Sequence, residues 1–226
     1  MTRITKDPDE RRSELIACAK KFFYTQGYES TSVRDIVDEV GVAKGTFYYY
    51  FDSKQDILGA LVAELSAQRR ALLEAIVAED ALNAMQKWAR WMQVYGDWKI
   101  ERKNELLALS RVMQVDENVL LYHKLRAQTA QITVPILASI IEQGIEEGVF
   151  ETAYVEEAAE IVYAVSRTFT DSMTDILLNP DNYGHPEALA RRKVTAAQTA
   201  IERVLGAAPG SLPLADENTL MAWFAD

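Results

Sequence analysis

Residues 31–51 read "TSVRDIVDEVGVAKGTFYYYF". Two short helical patterns meet here at a single glycine. Ser32 and Asp35 have the spacing of a capping box, and Val33, Ile36, Val37 and Val40 follow at i, i+3, i+4 and i+7. Gly41 closes that helix after about two turns. On a wheel at about 100° per residue, Ala43, Phe47 and Phe51 share one side, which reads as the inward face. Gly45, Thr46, Tyr48 and Tyr49 fall on the other side, with Lys44 at the helix start and Tyr50 on the flank. Three buried phenols would each need a hydrogen-bond partner, and a merely solvated segment has no use for so much aromatic surface. The outer face instead offers hydroxyls, a cation and a glycine with no side chain. Hydroxyls donate to phosphate oxygens, lysine adds charge, and glycine admits a backbone to close approach. A threonine methyl or a tyrosine ring can meet a thymine methyl in the major groove. Arg34, early in the first helix of the pair, has reach to guanine or phosphate. Lys54 begins the next helix, where its ammonium and free backbone N–H groups suit a phosphate together.

Outward from this stretch the pattern stays helical. Leu15, Cys18, Ala19 and Phe22 recur at helical spacing before it. After it, Ser53 and Asp56 start a helix that carries Ile57, Leu58, Leu61, Val62 and Leu65. Residues 10–52 therefore read as three helices, the last two short and joined through Gly41, which is the helix-turn-helix pattern. Longer helices are predicted near 81–102, 117–147, 154–178 and 187–205, with a short one near 104–114. Pro135 is expected to interrupt or kink the 117–147 helix, and Gly148 to stop it. The fold class is all-α: an N-terminal three-helix helix-turn-helix domain over 1–54, a larger helical domain over 55–206, and a C-terminal tail over 207–226. A short amphipathic turn is expected in that tail around Leu220, Met221, Trp223 and Phe224.

The chain's net charge of −10 argues against nucleic acid if taken whole. Its distribution does not. Residues 1–54 carry nine basic and nine acidic side chains, so all the excess acid lies beyond them. Polyanion binding responds to the local face, and the acidic remainder reads as a solvated surface. No apolar run approaches the ~20 residues that span a bilayer, and the N-terminus shows no apolar signal region. A cytoplasmic protein with no membrane partner is expected. The lone cysteine, Cys18, excludes an intramolecular disulfide and reads as a small core residue. His123 and His185 are the only histidines, and no second His stands four residues from His123, so neither a metal nor another cofactor is expected. An enzyme reading finds no "GxSxG", no metal pair and no phosphate-cradling glycine loop. A helical adaptor that holds another protein through its tyrosines is the remaining alternative.

The run "TSVRDIVDEVGVAKGTFYYYFDSKQDIL", residues 31–58, together with "AKKFFYTQGYEST" leading into it, resembles the N-terminal signature of the TetR family of transcriptional regulators. The resemblance covers roughly the first 60 residues. It implies a three-helix DNA-binding domain joined by a fourth helix to a ligand-binding and dimerisation domain. It also implies that Arg34, Lys44, Gly45, Thr46, Tyr48, Tyr49, Tyr50 and Lys54 contact DNA and that Thr31 and Ser32 bind phosphate. Tyr50 stands where many members carry His. The expected partners are double-stranded operator DNA, an unknown small-molecule effector and a second copy of the chain.

Trp88, Trp91, Met92, Tyr95 and Trp98 recur at i, i+3, i+4, i+7 and i+10 on one broad helix face. Such a stripe is either core or the wall of a ligand cavity, which favours aromatic linings. The resemblance implies that this helix borders the effector pocket. Met113, Tyr122, Tyr163, Phe169 and Met173 are candidates for the opposite walls. Alanine-rich faces in the last two long helices, with Val162, Val165, Ile201 and Val204, suit close helix approach, and the resemblance implies a dimer interface there.

Overall fold

The computed structural model describes residues 7–225. Ten α-helices and two single 3-10 turns make up its regular structure, with no strand among the described residues. The chain divides into two compact units. One holds the chain up to Ala67 together with Asn104–Leu125, and the other holds Gln68–Lys103 and Arg126 onward.

The first unit is built on α1 (Pro8–Thr25), α2 (Val33–Val40), α3 (Lys44–Tyr50) and the start of α4 (Lys54–Val77). Most of α6 (Lys103–Met113) and the first turns of α7 (Val119–Glu146) complete it. Its core gathers Leu15, Phe23, Ile36, Phe47, Phe51, Ile57, Leu58 and Leu61 with Val112 and Met113. Each such side chain contributes about 1.5–3 kcal/mol by leaving water. Because Ile57, Leu58 and Leu61 belong to this core, the boundary expected at residue 54 is displaced along α4.

Local chemistry sets the helix ends. The Ser32 hydroxyl accepts from the Asp35 N–H at 3.2 Å, and the Asp35 carboxylate accepts the Ser32 N–H at 2.8 Å, so the expected capping box forms. Gly41 takes φ +72°, which lets its N–H reach the Asp38 carbonyl and the Val42 N–H reach the Val37 carbonyl, a Schellman turn. Phe47 and Phe51 are inward as the wheel indicated. Ala43 is not: it is the exposed N-cap of α3, outside the helix where the wheel no longer applies. The Ser53 hydroxyl receives the Asp56 N–H at 3.0 Å and starts α4.

The second unit contains the end of α4, α5 (Ala84–Glu101), the rest of α7, α8 (Val155–Leu178), α9 (Pro186–Val204) and α10 (Glu217–Ala222). Of the interruption or kink expected at Pro135, the interruption does not occur: helix α7 continues through it. Pro135 and Gln131, whose carbonyl Pro135 cannot serve, are both exposed, so that carbonyl faces water rather than an apolar interior. Helix α8 packs along α9, and α10 packs on α5 and α9. Leu73, Trp88, Ile140, Ile141, Val162, Ile201 and Leu212 lie in the main core. The segment expected as a tail is thus part of the unit. Leu212 and Leu220 are buried, and the Trp88 indole donates to the Pro213 carbonyl at 3.0 Å.

Candidate functional site

Helix α3 presents two faces of opposite character. Phe47 is fully buried, while Tyr48 is 49% and Tyr49 76% exposed. The Tyr48 ring stands edge-on to Phe47 at 5.4 Å, and Tyr49 stands edge-on to Tyr50 at 4.8 Å. Tyr50 itself is half-buried against the first core. The core aromatics therefore brace the exposed ones. Lys44 lies 5.7 Å above the Tyr48 ring, and the first turn of α3 carries no acid. Thr46 is half-buried, its N–H held by the Ala43 carbonyl at 2.8 Å. A Cβ built on Gly45 meets nothing within 4 Å, and its φ is not in the left-handed region. The fold does not need a glycine there.

On α2, the Arg34 side chain is 84% exposed and pairs at 3.4 Å with Asp38. An exposed pair of this length is worth little and is readily exchanged. Ser32 is exposed, but its hydroxyl proton goes to the Asp35 carboxylate at 2.8 Å. Hydrogen bonds from the Ser32 backbone and side chain hold the Asp35 carboxyl below the usual range. Two of the residues expected at phosphate have partners within the fold. Thr31 is buried, and its hydroxyl donates to the Gly27 carbonyl at 2.8 Å, tying the α1–α2 loop. Lys54 is half-buried. Its ammonium donates to the Tyr28 carbonyl at 2.8 Å and sits 4.0 Å above the Tyr28 ring. It fastens α4 to that same loop. Elsewhere on this unit an open depression is lined by Phe22, Gln26, Ser30, Asp35, Asp38 and Glu39. Its three carboxylates repel phosphate.

The aromatic stripe on α5 splits. Trp88 and Trp91 are buried in the second core, while Met92, Tyr95 and Trp98 are half-buried. Tyr95 stacks on Trp98 at 5.9 Å with 19° between the planes. Of the candidates for opposite walls, Met113 lies in the core of the first unit and Tyr122 packs against that core. Met173 and Phe169 join a small separate cluster with Ile176, Ala190, Val194 and Leu220. Tyr163 is the candidate that stays near Tyr95, and the two share a set of cations that sequence periodicity did not mark. Burial alone would push the Tyr95 phenol up, but Lys99, Arg69 and Arg167, with a hydrogen bond from Arg69, outweigh it and hold the phenol low. At Tyr163 burial prevails over Arg167, Arg69 and Arg126 and raises the phenol. Among the described residues no group of three or more His, Cys, Asp or Glu could hold a metal ion, and no helix is long and apolar enough to cross a membrane.

The family described as "Bacterial regulatory proteins, tetR family" matches over residues 15–61, and "Tetracyclin repressor-like, C-terminal domain" matches over residues 103–178. The HTH-type transcriptional regulator TtgR of Pseudomonas putida is 31% identical over 128 residues, 55% of each chain. The HTH-type transcriptional repressor KstR2 of Mycobacterium tuberculosis is 36% identical over 62 residues, 27% of this chain and 31% of that one. The chain thus spans about half the length, or less, of the curated relatives it matches. A tetR-family transcriptional regulator from Pectobacterium atrosepticum superposes with TM-score 0.63 at 20% identity, over 90% of this chain and 98% of the other. That likeness is one of fold.

Proposed function

The chain belongs to the TetR family of bacterial regulatory proteins, and we propose that it is a ligand-responsive transcriptional regulator that reads a near-palindromic operator as a homodimer. Repression, relieved by a small apolar or amphipathic effector, is the mode we favour. One relative bears the name repressor. The chemistry proposed is binding, not catalysis.

The observation that carries this function is the outer face of α3. Two exposed tyrosines, a lysine and a glycine that the fold does not require stand on a helix anchored by Phe47 and Phe51. In this reading Lys44, Tyr48 and Tyr49 meet phosphate or base edges, Gly45 admits close approach, and Thr46, Tyr50, Ser32 and Arg34 flank them. Thr31 and Lys54 hold the loop that sets α2 and α4 rather than touching the duplex. The effector is proposed to lie in the second unit beside Tyr95, Trp98 and Tyr163. A mobility-shift assay on the DNA upstream of the chain's own gene, against shuffled DNA of equal length, tests the function. A shift of the upstream fragment alone is expected, and equal retardation of both would overturn it.

A further inference from the structure

Four cations converge on one part of the second unit. Arg69 on α4, Lys99 on α5, Arg126 on α7 and Arg167 on α8 all act on Tyr95 or Tyr163. Two of them meet a carboxylate in ion pairs: Asp171 lies 2.9 Å from Arg167 and 3.6 Å from Arg126. Arg69 is among the cations that act on the Tyr95 phenol, and its Nε and Nη2 are buried without a hydrogen-bond partner among the described residues. The Tyr163 hydroxyl is buried in the same condition. Guanidinium nitrogens cannot accept, and they do not deprotonate, so the two Arg69 nitrogens can be satisfied only by an acceptor, while the Tyr163 hydroxyl can donate as well as accept. Leaving a buried guanidinium half-satisfied is costly, and an apolar side chain of like volume would serve a purely structural role better. Beside them Tyr95 and Trp98 stack, with Lys99 4.5 Å above the Tyr95 ring and Arg102 5.0 Å above the Trp98 ring.

We propose that Arg69 and Tyr163 anchor the anionic head of an aromatic, amphipathic effector, an aryl carboxylate or related organic monoanion, whose ring lies against Tyr95 and Trp98. This deepens the function proposed above and rests on it for the consequence of binding, though not for binding itself. The Arg69 fork suits a carboxylate, Tyr163 adds an O–H donor, and Arg167 and Arg126 supply field while held by Asp171. Specificity follows from the buried donors: a neutral isostere leaves them less well paired than a carboxylate does.

The test titrates the protein with sodium 2-naphthoate and, separately, with 2-naphthamide, reading tryptophan fluorescence and thermal midpoint. Naphthoate is expected to bind about tenfold or more tighter than the amide, and Arg69→Met to remove that preference. Tyr163→Phe should weaken naphthoate binding by a smaller factor, and it serves as the readout if circular dichroism shows Arg69→Met unfolded. No binding of naphthoate, equal binding of the amide, or an unchanged preference in the variants overturns the anion site. The mobility shift on upstream DNA is run on the same wild-type preparation. DNA binding without naphthoate preference overturns the anion site alone, and naphthoate preference without DNA binding overturns the regulatory function alone.

Discussion

Glycine inside a helix is less favourable than alanine by about 0.5–1 kcal/mol, and Gly45 lies near the start of a seven-residue helix with open space where its Cβ would be. Gly45→Ala should therefore leave the melting temperature unchanged or slightly raised while weakening operator binding, by about tenfold if the added methyl meets the duplex. Circular dichroism and fluorescence anisotropy on the same preparation decide it, and full affinity in the variant would remove Gly45 from the contact. Lys54 behaves oppositely. Lys54→Met should destabilise the first unit by about 1–3 kcal/mol in urea, because the Tyr28 carbonyl loses a charged donor. An unchanged midpoint would deny that tie. The residue types at both positions were legible in sequence. Their partners were not: Lys54 meets a carbonyl 26 residues away, and the Thr31 hydroxyl is consumed by a loop whose path no local pattern specifies.

Helices α1 to α4 were legible as elements because their signals are local. The Ser32–Asp35 box, the αL glycine at 41 and the Ser53 cap each act within a few residues. The continuity of α7 through Pro135 was not legible, since it depends on Pro135 facing outward. Nor was the docking of residues 207–225, which hangs on a carboxylate in α9. The Glu202 carboxylate receives the Leu212 N–H at 3.1 Å and the Gln198 amide at 2.8 Å. Burial would raise this carboxyl, but those hydrogen bonds, with others from the Gly210 and Ser211 backbone, outweigh it and hold it low. A folded-state value below the unfolded one gives stability that is present above the ordinary glutamate range and lost as pH falls through the depressed value. Acidification below about pH 4 should therefore loosen this segment. Glu202→Gln should lower stability at pH 7 and shrink its loss on acidification, read as urea midpoints across pH with Trp88 fluorescence as the local signal. Identical pH profiles for the two proteins would contradict this role.

At the scale of the whole chain, α4 and α7 each supply residues to both units, which is why a linear cut at residue 54 did not describe the division. The effector candidates were legible only in part for the same reason. Periodicity marked the aromatic face of α5, but the cations that surround Tyr95 arrive from α4, α7 and α8. A homodimer should sediment as such at micromolar concentration, and its footprint should cover two half-sites about 34–36 Å apart or a multiple of that. A monomer over one asymmetric site would contradict the proposed mode of reading. The central claim, that the outer face of α3 docks on DNA, is tested most directly by anisotropy titrations of upstream and shuffled DNA across a salt series, with the wild type and a Tyr48→Ala, Tyr49→Ala double variant. The wild type is expected to prefer the upstream fragment by about a thousandfold or more, with affinity falling linearly in log salt. The folded double variant is expected to lose most of that preference. Equal affinity of the wild type for both fragments, or a double variant as selective as the wild type, would contradict it.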